Sequence, residues 1–172
     1  HFLHIIGINA NCTNWKWIKV MSTLIIEKAK LKNLKDLIYL LFDDDLGKQR
    51  ENLSDKSINK YKKSFTKILN DSNNEIFIMI LNDQIIGMMQ LTFIPGLSMQ
   101  GITRCQIESV RIKKEYRDKG YGSKLINKGI EIAKINKCGL IQLTSNKKRQ
   151  KATNFYKKLG FLSTHKSFKL DL

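Results

Sequence analysis

The sequence predicts an α/β domain: a mixed sheet of six to seven strands with about four helices on its two faces. Three observations predict it. Apolar β-type runs on either side of Asn82-Asp83-Gln84 read as an antiparallel hairpin. Two stretches near the start carry apolar residues at spacings of three and four, the mark of amphipathic helices. The second half alternates strand and helix, which demands a parallel pair and a helix covering it. A length of 172 residues suits one domain with a sizeable core, and 42% hydrophobic with 27% charged residues marks a globular chain. No apolar run approaches the ~20 residues needed to span a bilayer.

The elements follow in the order β-α-α-β-β-β-α-β-α-β. Thr23–Lys28 reads as a short strand. Leu31, Leu34, Leu37, Ile38 and Leu41 make the stripe of a first helix, ended by Asp43-Asp44-Asp45. Consecutive side chains point in different directions, so this acidic triplet is read as a solvated helix end rather than a metal site. A second helix spans about Ser54 to Leu69, with Ile58, Tyr61, Phe65, Ile68 and Leu69 inward. Ile76–Leu81 and Ile85–Phe93 form the hairpin, and Pro95-Gly96 opens a loop ending near Gly101. A strand over Ile102–Ile112 and a charged connection lead through Gly120-Tyr121-Gly122 into a helix ending near Lys137. Its packed side is Leu125, Ile126, Gly129, Ile130 and Ala133. Gly139–Thr144 is a strand, and Gln150–Leu159 is a helix closed by Gly160. Phe161–Leu170 supplies one or two closing strands.

Residues 1–20 differ in character from the rest and lack the basic and apolar regions of a signal peptide. They are read as a non-native or disordered extension ahead of a start at Met21, leaving 21–172 as the domain. His1 and His4 therefore receive no metal reading. Three cysteines, Cys12, Cys105 and Cys138, have no CxxC spacing and fit reduced thiols in a cytoplasmic protein.

The formal charge is +16, from 31 basic and 15 acidic residues. A surplus of this size points to nucleic acid or another polyanion. Residues 111–169 hold 17 of the basic and 3 of the acidic residues. The excess is therefore concentrated in the last third.

Within that third lies VRIKKEYRDKGYG, Val110 to Gly122. A strand ends, and Arg117-Asp118-Lys119-Gly120-Tyr121-Gly122 runs directly into a helix. Glycines permit positive φ and close approach. Free N–H groups at the helix start and the macrodipole favour an anion there. The spacing matches neither a G-x-G-x-x-G fingerprint, since Leu125 stands at the third position, nor a Walker A loop.

With its surroundings this stretch resembles the GCN5-related N-acetyltransferases, the GNAT family. That family carries R/Q-x-x-G-x-G/A at the start of the helix after its fourth strand. Ahead of it stands a strand with glutamate nine residues before the arginine, as Glu108 stands to Arg117. Downstream comes A-x-x-(F/L)-Y-x-x-x-G-F, matched by Ala152, Phe155, Tyr156, Gly160 and Phe161. The resemblance covers about Leu24 to Leu172.

It implies the GNAT fold and acetyl-CoA as cosubstrate, with no metal. Val110, Arg111 and Ile112 would lie along pantetheine. Backbone N–H groups from Arg117 through Asp118, Lys119, Gly120, Tyr121 and Gly122 to Ser123 would hold the pyrophosphate. The Val110 N–H would polarise the thioester carbonyl, and a bulge in the fourth strand would open the sheet there. Tyr156 would serve as general acid toward the leaving thiolate. Glu108 is the candidate base, read as sharing one strand face with Val110 and Ile112. One departure is plain: where many members place an asparagine for the pantetheine arm, this chain has Arg149. The basic face around the last helix is read as solvated, with the CoA 3′-phosphate as its candidate ligand.

The expected activity is acetyl transfer to a primary amine in a ternary complex. The acceptor is a small or peptide amine, with no membrane partner and a homodimer compatible. Two alternatives stand beside it: the same fold using another acyl-CoA, and a non-enzymatic basic module that binds nucleic acid.

Overall fold

The computed structural model describes residues 23–44 and 47–172. The expected extension at 1–20, the start at Met21, and His1, His4, Cys12 and Asp45 lie outside those residues. The elements are β1 (Leu24–Lys28), a 3-10 turn (Leu31–Asn33) running into α1 (Leu34–Phe42), and α2 (Asp55–Leu69). Then follow β2 (Asn74–Leu81), β3 (Gln84–Pro95), the single turn α3 (Ser98–Gly101) and β4 (Thr103–Ile112). After a 3-10 turn at Lys114–Tyr116 come α4 (Tyr121–Ile135), β5 (Leu140–Leu143) and α5 (Gln150–Lys158).

The sheet runs in chain order, β1-β2-β3-β4-β5. The first three pairings are antiparallel and β4–β5 is parallel. This is the mixed sheet that the sequence predicts, with five strands among the described residues rather than six or seven. The closing strands do not form: residues 161–172 take no regular structure, and Leu162 and Phe168 are 83% and 89% exposed. Their alternating pattern becomes a strand only beside a neighbouring ladder, and β5 offers an edge of only four residues.

Two cores flank the sheet. On one face Leu37 and Leu40 of α1 and Phe65 of α2 bury Ile78 of β2 and Met88 of β3. On the other, Leu125 and Ile126 of α4 bury Met89 and Leu91 of β3 and Ile107 of β4. Alternation along β3 thus sends Met88 and Met89 to opposite cores. The α2 stripe is oriented as predicted but shallow: Phe65 is 3% exposed, while Ile58 and Leu69 are half-open. On α4, Ile132 is buried along with Ile126, while Ile130 is only half-buried.

Gly87 of β3 stands opposite Ile112 at the far end of the β3–β4 ladder. A Cβ there would lie 2.6 Å from Ile112 Cδ1 and 3.0 Å from the Arg111 carbonyl oxygen. The side chain can turn away but the backbone oxygen cannot, so β4 is drawn close to β3 only because residue 87 lacks a side chain. Gly87→Ala is expected to cost about 2 kcal/mol, the usual penalty of overpacking, measured as a lowered urea midpoint. An unchanged midpoint would contradict this close approach.

Candidate active site

The register of β4 breaks once. Gln90 pairs with Glu108 and Met88 with Arg111, so Ser109 and Val110 stand together opposite Met89. Ser109 takes the left-handed φ of +51°. This is a bulge, one extra residue that bends a strand and resets its alternation. The β4–β5 ladder ends just before it, at Ile107–Leu143, while β4 continues to Ile112. The two strands therefore part at Glu108. A cleft of ≈ 560 Å³ opens there between Val110–Ile112, Asp44 and Arg117 on one side and Lys148–Ala152 on the other.

The bulge corrects one expectation. Without it Glu108, Val110 and Ile112 would share a face. With it, Val110 and Ile112 join Ile107 against the α4-side core. Residues opposite one another in a ladder share a face, so Glu108 with Gln90 and Arg111 with Met88 lie on the α1/α2 side. Glu108 is exposed there. Its surroundings are polar: Thr92 and Gln90 donate to Asn74 Oδ1 at 2.6 and 3.3 Å, and Gln142 donates to Gln106 at 2.8 Å.

Arginines line the edge that β5 leaves open. Arg111 donates to the Val110 carbonyl at 2.8 Å. Arg117 donates from Nε to the Ile112 carbonyl at 2.9 Å and from its other arm to the Asp43 carbonyl at 2.7 Å. The Arg117 guanidinium also faces the Asp43 carboxylate at 3.6 Å. The segment after α1 is thereby tied across the β4–α4 junction, with Asp43 accepting the Lys114 N–H at 2.9 Å. Asp44 receives Arg149 in a direct ion pair and Arg111 at 3.9 Å. Burial pushes the Asp44 carboxyl up. The Arg149 hydrogen bond, the Arg111 and Arg149 charges and the Gly47 N–H outweigh it and hold the carboxyl below its ordinary 3.8. Asp43 and Asp44 are therefore not the solvated helix end that the sequence suggested.

At the cleft's other end the chain from Asp118 to Gly120 curls. Asp118 has φ +59° and Gly120 φ +80°. Alternation of this kind turns successive N–H groups toward one concavity, at the start of the 15-residue α4. A Cβ on Gly120 would meet nothing within 4 Å, so glycine serves there for its positive φ. Gly122 serves for spacing, since a Cβ would meet Phe155 at 3.3 Å. Tyr121 and Ser123 are half-buried in this first turn, and Lys119 stands over the Tyr116 ring.

Tyr156 of α5 packs against Phe155 and Phe161, with ring centroids at 5.0 and 5.9 Å. Burial pushes its phenol up, against the pull of Arg111 and Arg149, and the net shift is upward. The group stays protonated at neutral pH. The motif places Arg149 at the pantetheine position, but no spacing in the sequence joins it to Asp43 or Asp44. For the two aspartates the signal in the sequence is an acidic triplet in a chain whose positive charge sits at the other end.

Residues 28–161 match the model of the Acetyltransferase (GNAT) family, and the chain belongs to that family. It is 33% identical over 89 residues to a glucosamine 6-phosphate N-acetyltransferase of Trypanosoma brucei brucei, 52% of this chain and 58% of that one. The chain thus spans 58% of the length of that curated relative. A Bacillus halodurans C-125 structure described as a transcriptional regulator superposes with a TM-score of 0.84 at 38% identity, over 87% of this chain and all of that one. A Clostridium acetobutylicum structure described as a predicted acetyltransferase with acetyl-CoA shares the fold, with a TM-score of 0.69 at 20% identity over 87% and 96% of the two chains. Among the described residues no helix is long and apolar enough to cross a membrane.

The residues fit a CoA thioester. A β4 edge without a strand partner suits an extended amide-bearing arm, and the Asp118–Gly120 curl at a helix start suits a pyrophosphate.

Asp44→Asn is expected to destabilise the chain by about 2 kcal/mol. That is below the usual 3–5 for a buried pair, because Arg149 keeps part of its side chain in water. The folded state prefers the ionised Asp44. This contribution is present above the unfolded value and is lost as pH falls below about 4. The gap between wild type and variant in urea midpoint should narrow across that range. A gap independent of pH would contradict the role given to Asp44.

Proposed function

We propose that the chain moves the acetyl group of acetyl-CoA to a primary amine within a ternary complex. The observation that carries this is the coincidence of the β4 bulge, the parting of β4 from β5, and the curl at the start of α4 along one cleft. Acetyl-CoA, when bound, supplies the thioester that the amine attacks. Val110, Arg111 and Ile112 would present the open β4 edge to the pantetheine arm. The Val110 and Ile112 carbonyls already accept arginine donors, and each oxygen keeps a second lone pair. Backbone N–H groups of Arg117, Asp118, Lys119, Gly120, Tyr121, Gly122 and Ser123 would cradle the pyrophosphate. The Arg117 side chain acts as a brace, its guanidinium being held by Ile112 and Asp43.

Val110 at the bulge would aim its N–H at the carbonyl oxygen, where donors fixed in advance are most effective. Glu108 would take the proton from the acceptor's ammonium, directly or through water, and the neutral amine then attacks. An alkyl amine with a pKa near ~10.4 is mostly protonated at pH 7 and must lose that proton first. Tyr156, kept protonated by burial, would give its proton to the leaving thiolate, and the second proton shed by the nitrogen as the amide forms would restore the phenol. Holding two reactants side by side contributes the largest share of the acceleration. A cytoplasmic setting belongs to this proposal.

A second reading rests on the net +14 of residues 111–169 and on the description of the Bacillus halodurans neighbour as a transcriptional regulator. In that reading the basic third binds DNA. DNA binding with a steep salt slope and no stabilisation by CoA would favour it.

Thiol release from acetyl-CoA, screened over amines, amino sugars, amino acids and peptide N-termini, tests the main reading. Glu108→Gln should lower the transfer rate constant at pH 7 by at least about tenfold, within the range for losing a general base. It should also remove the acidic limb of the pH–rate profile. An unaltered profile would sink the assignment of Glu108.

A further inference from the structure

We infer that Arg111 and Arg149 form an anion subsite for the acceptor, so that the amine acetylated here carries a phosphate or carboxylate group of its own. The inference rests on the acetyltransferase reading and deepens it.

Charge is the first ground. Two guanidiniums share one carboxylate, that of Asp44. Their side chains are only 15% and 29% exposed, and that of Asp44 only 12%. Arg50 and Glu51 also act on Arg111, with opposite signs, so among the described residues one positive charge is left over in a place poor in water, where charges are ordinarily matched. Arg111 adds a specific vacancy in its bonding. Its Nε is buried and takes no hydrogen bond among the described residues. A guanidinium offers five donors in a planar fork that suits an oxyanion.

Position is the second ground. The bulge puts Arg111 on the α1/α2 face of β4, away from α4 and the curl at its start. Arg117, which is nearer that curl, is already answered by Asp43. Arg111 and Arg149 line the same cleft as Arg117, but Arg111 lies on its α1/α2 side and the curl on its α4 side, so the anion at Arg111 is assigned to the acceptor and not to the pyrophosphate. With the bulge counted, Arg111 stands two ladder positions from Glu108 on the same face, roughly 7 Å along the strand. An amine at Glu108 and an anion at Arg111 then belong to one small molecule, lying over the polar floor of Gln90, Gln106 and Gln142. A purely cationic acceptor such as a polyamine does not fit. The carboxylates of Asp43 and Asp44 that would attract it are held by arginines.

Thermal unfolding of the full chain tests this without needing the natural acceptor. Coenzyme A is kept saturating, and inorganic phosphate is titrated against sodium chloride of equal ionic strength. The expected result is a saturable rise of about 4 °C above that given by CoA, the size expected for phosphate well above its dissociation constant. That rise should vanish in Arg111→Gln. Should that variant not unfold cooperatively, Arg149→Gln serves, with most of the rise lost. Phosphate stabilisation that disappears once CoA is saturating would overturn the inference, because the anion would then be the cofactor's own. Equal stabilisation of wild type and variants would overturn it too, as a general salt effect. Absence of any shift with CoA alone would instead refute the acetyltransferase reading beneath it.

Discussion

One extra residue in β4 organises the site. Had β4 run in register past Glu108, its Met89 neighbour would face a single residue, and the alternation of the strand would continue unbroken. With Ser109 inserted at a left-handed φ, everything beyond it is turned over. Val110 and Ile112 return to the α4-side core, and Arg111 is thrown to the opposite face. The strand bends as bulged strands do, and β5, only four residues long, does not follow it. A cleft, an open backbone edge and a separation of the two faces all result from the same insertion. The faces then carry different chemistry: apolar packing and the α4 start on one side, Glu108, Arg111 and a row of amides on the other.

A bent strand with an open edge is a liability, because unpaired backbone groups invite either water or another chain. The arginines answer it. Arg111 and Arg117 donate to carbonyls of the edge itself. Asp43 and Asp44 in turn hold these arginines, and Arg149, from the other wall. The segment after α1 is thus fastened to both walls of the cleft. Such mostly buried ion pairs add little net stability over apolar packing, but breaking one is costly. Their value here lies in fixing where the charges stand.

Much of the fold is legible in the sequence because local patterns and global packing agree. The stripes of α1 and α4, the Asn82-Asp83 turn and the parallel crossover all follow from spacing. The closing strands fail because a β pattern specifies readiness to pair and not the existence of a partner. Leu162 and Phe168 alternate correctly and remain exposed. Within the site, the Gly120 turn and the packing of Tyr156 follow from local motifs. The face of Glu108 does not, since Ser109 is an ordinary residue that carries no mark of a positive φ. The pairing of Asp44 with Arg149 is equally silent, for it joins residues brought together only by the finished fold. The charge surplus is clearer in the structure than in the composition. Part of it is spent holding the cleft together, and Arg111 and Arg149 leave a charge that Asp44 alone does not balance.

The central claim is that the parted strands and the start of α4 form one CoA-binding cleft. Amide hydrogen exchange with and without coenzyme A measures this directly. The account predicts slowed exchange confined to residues 108–112, 117–123 and the 144–152 segment facing them, with α2 and β1 unchanged. Unaltered exchange at 108–112 and 117–123 under saturating coenzyme A, or protection located elsewhere on the chain, would contradict it.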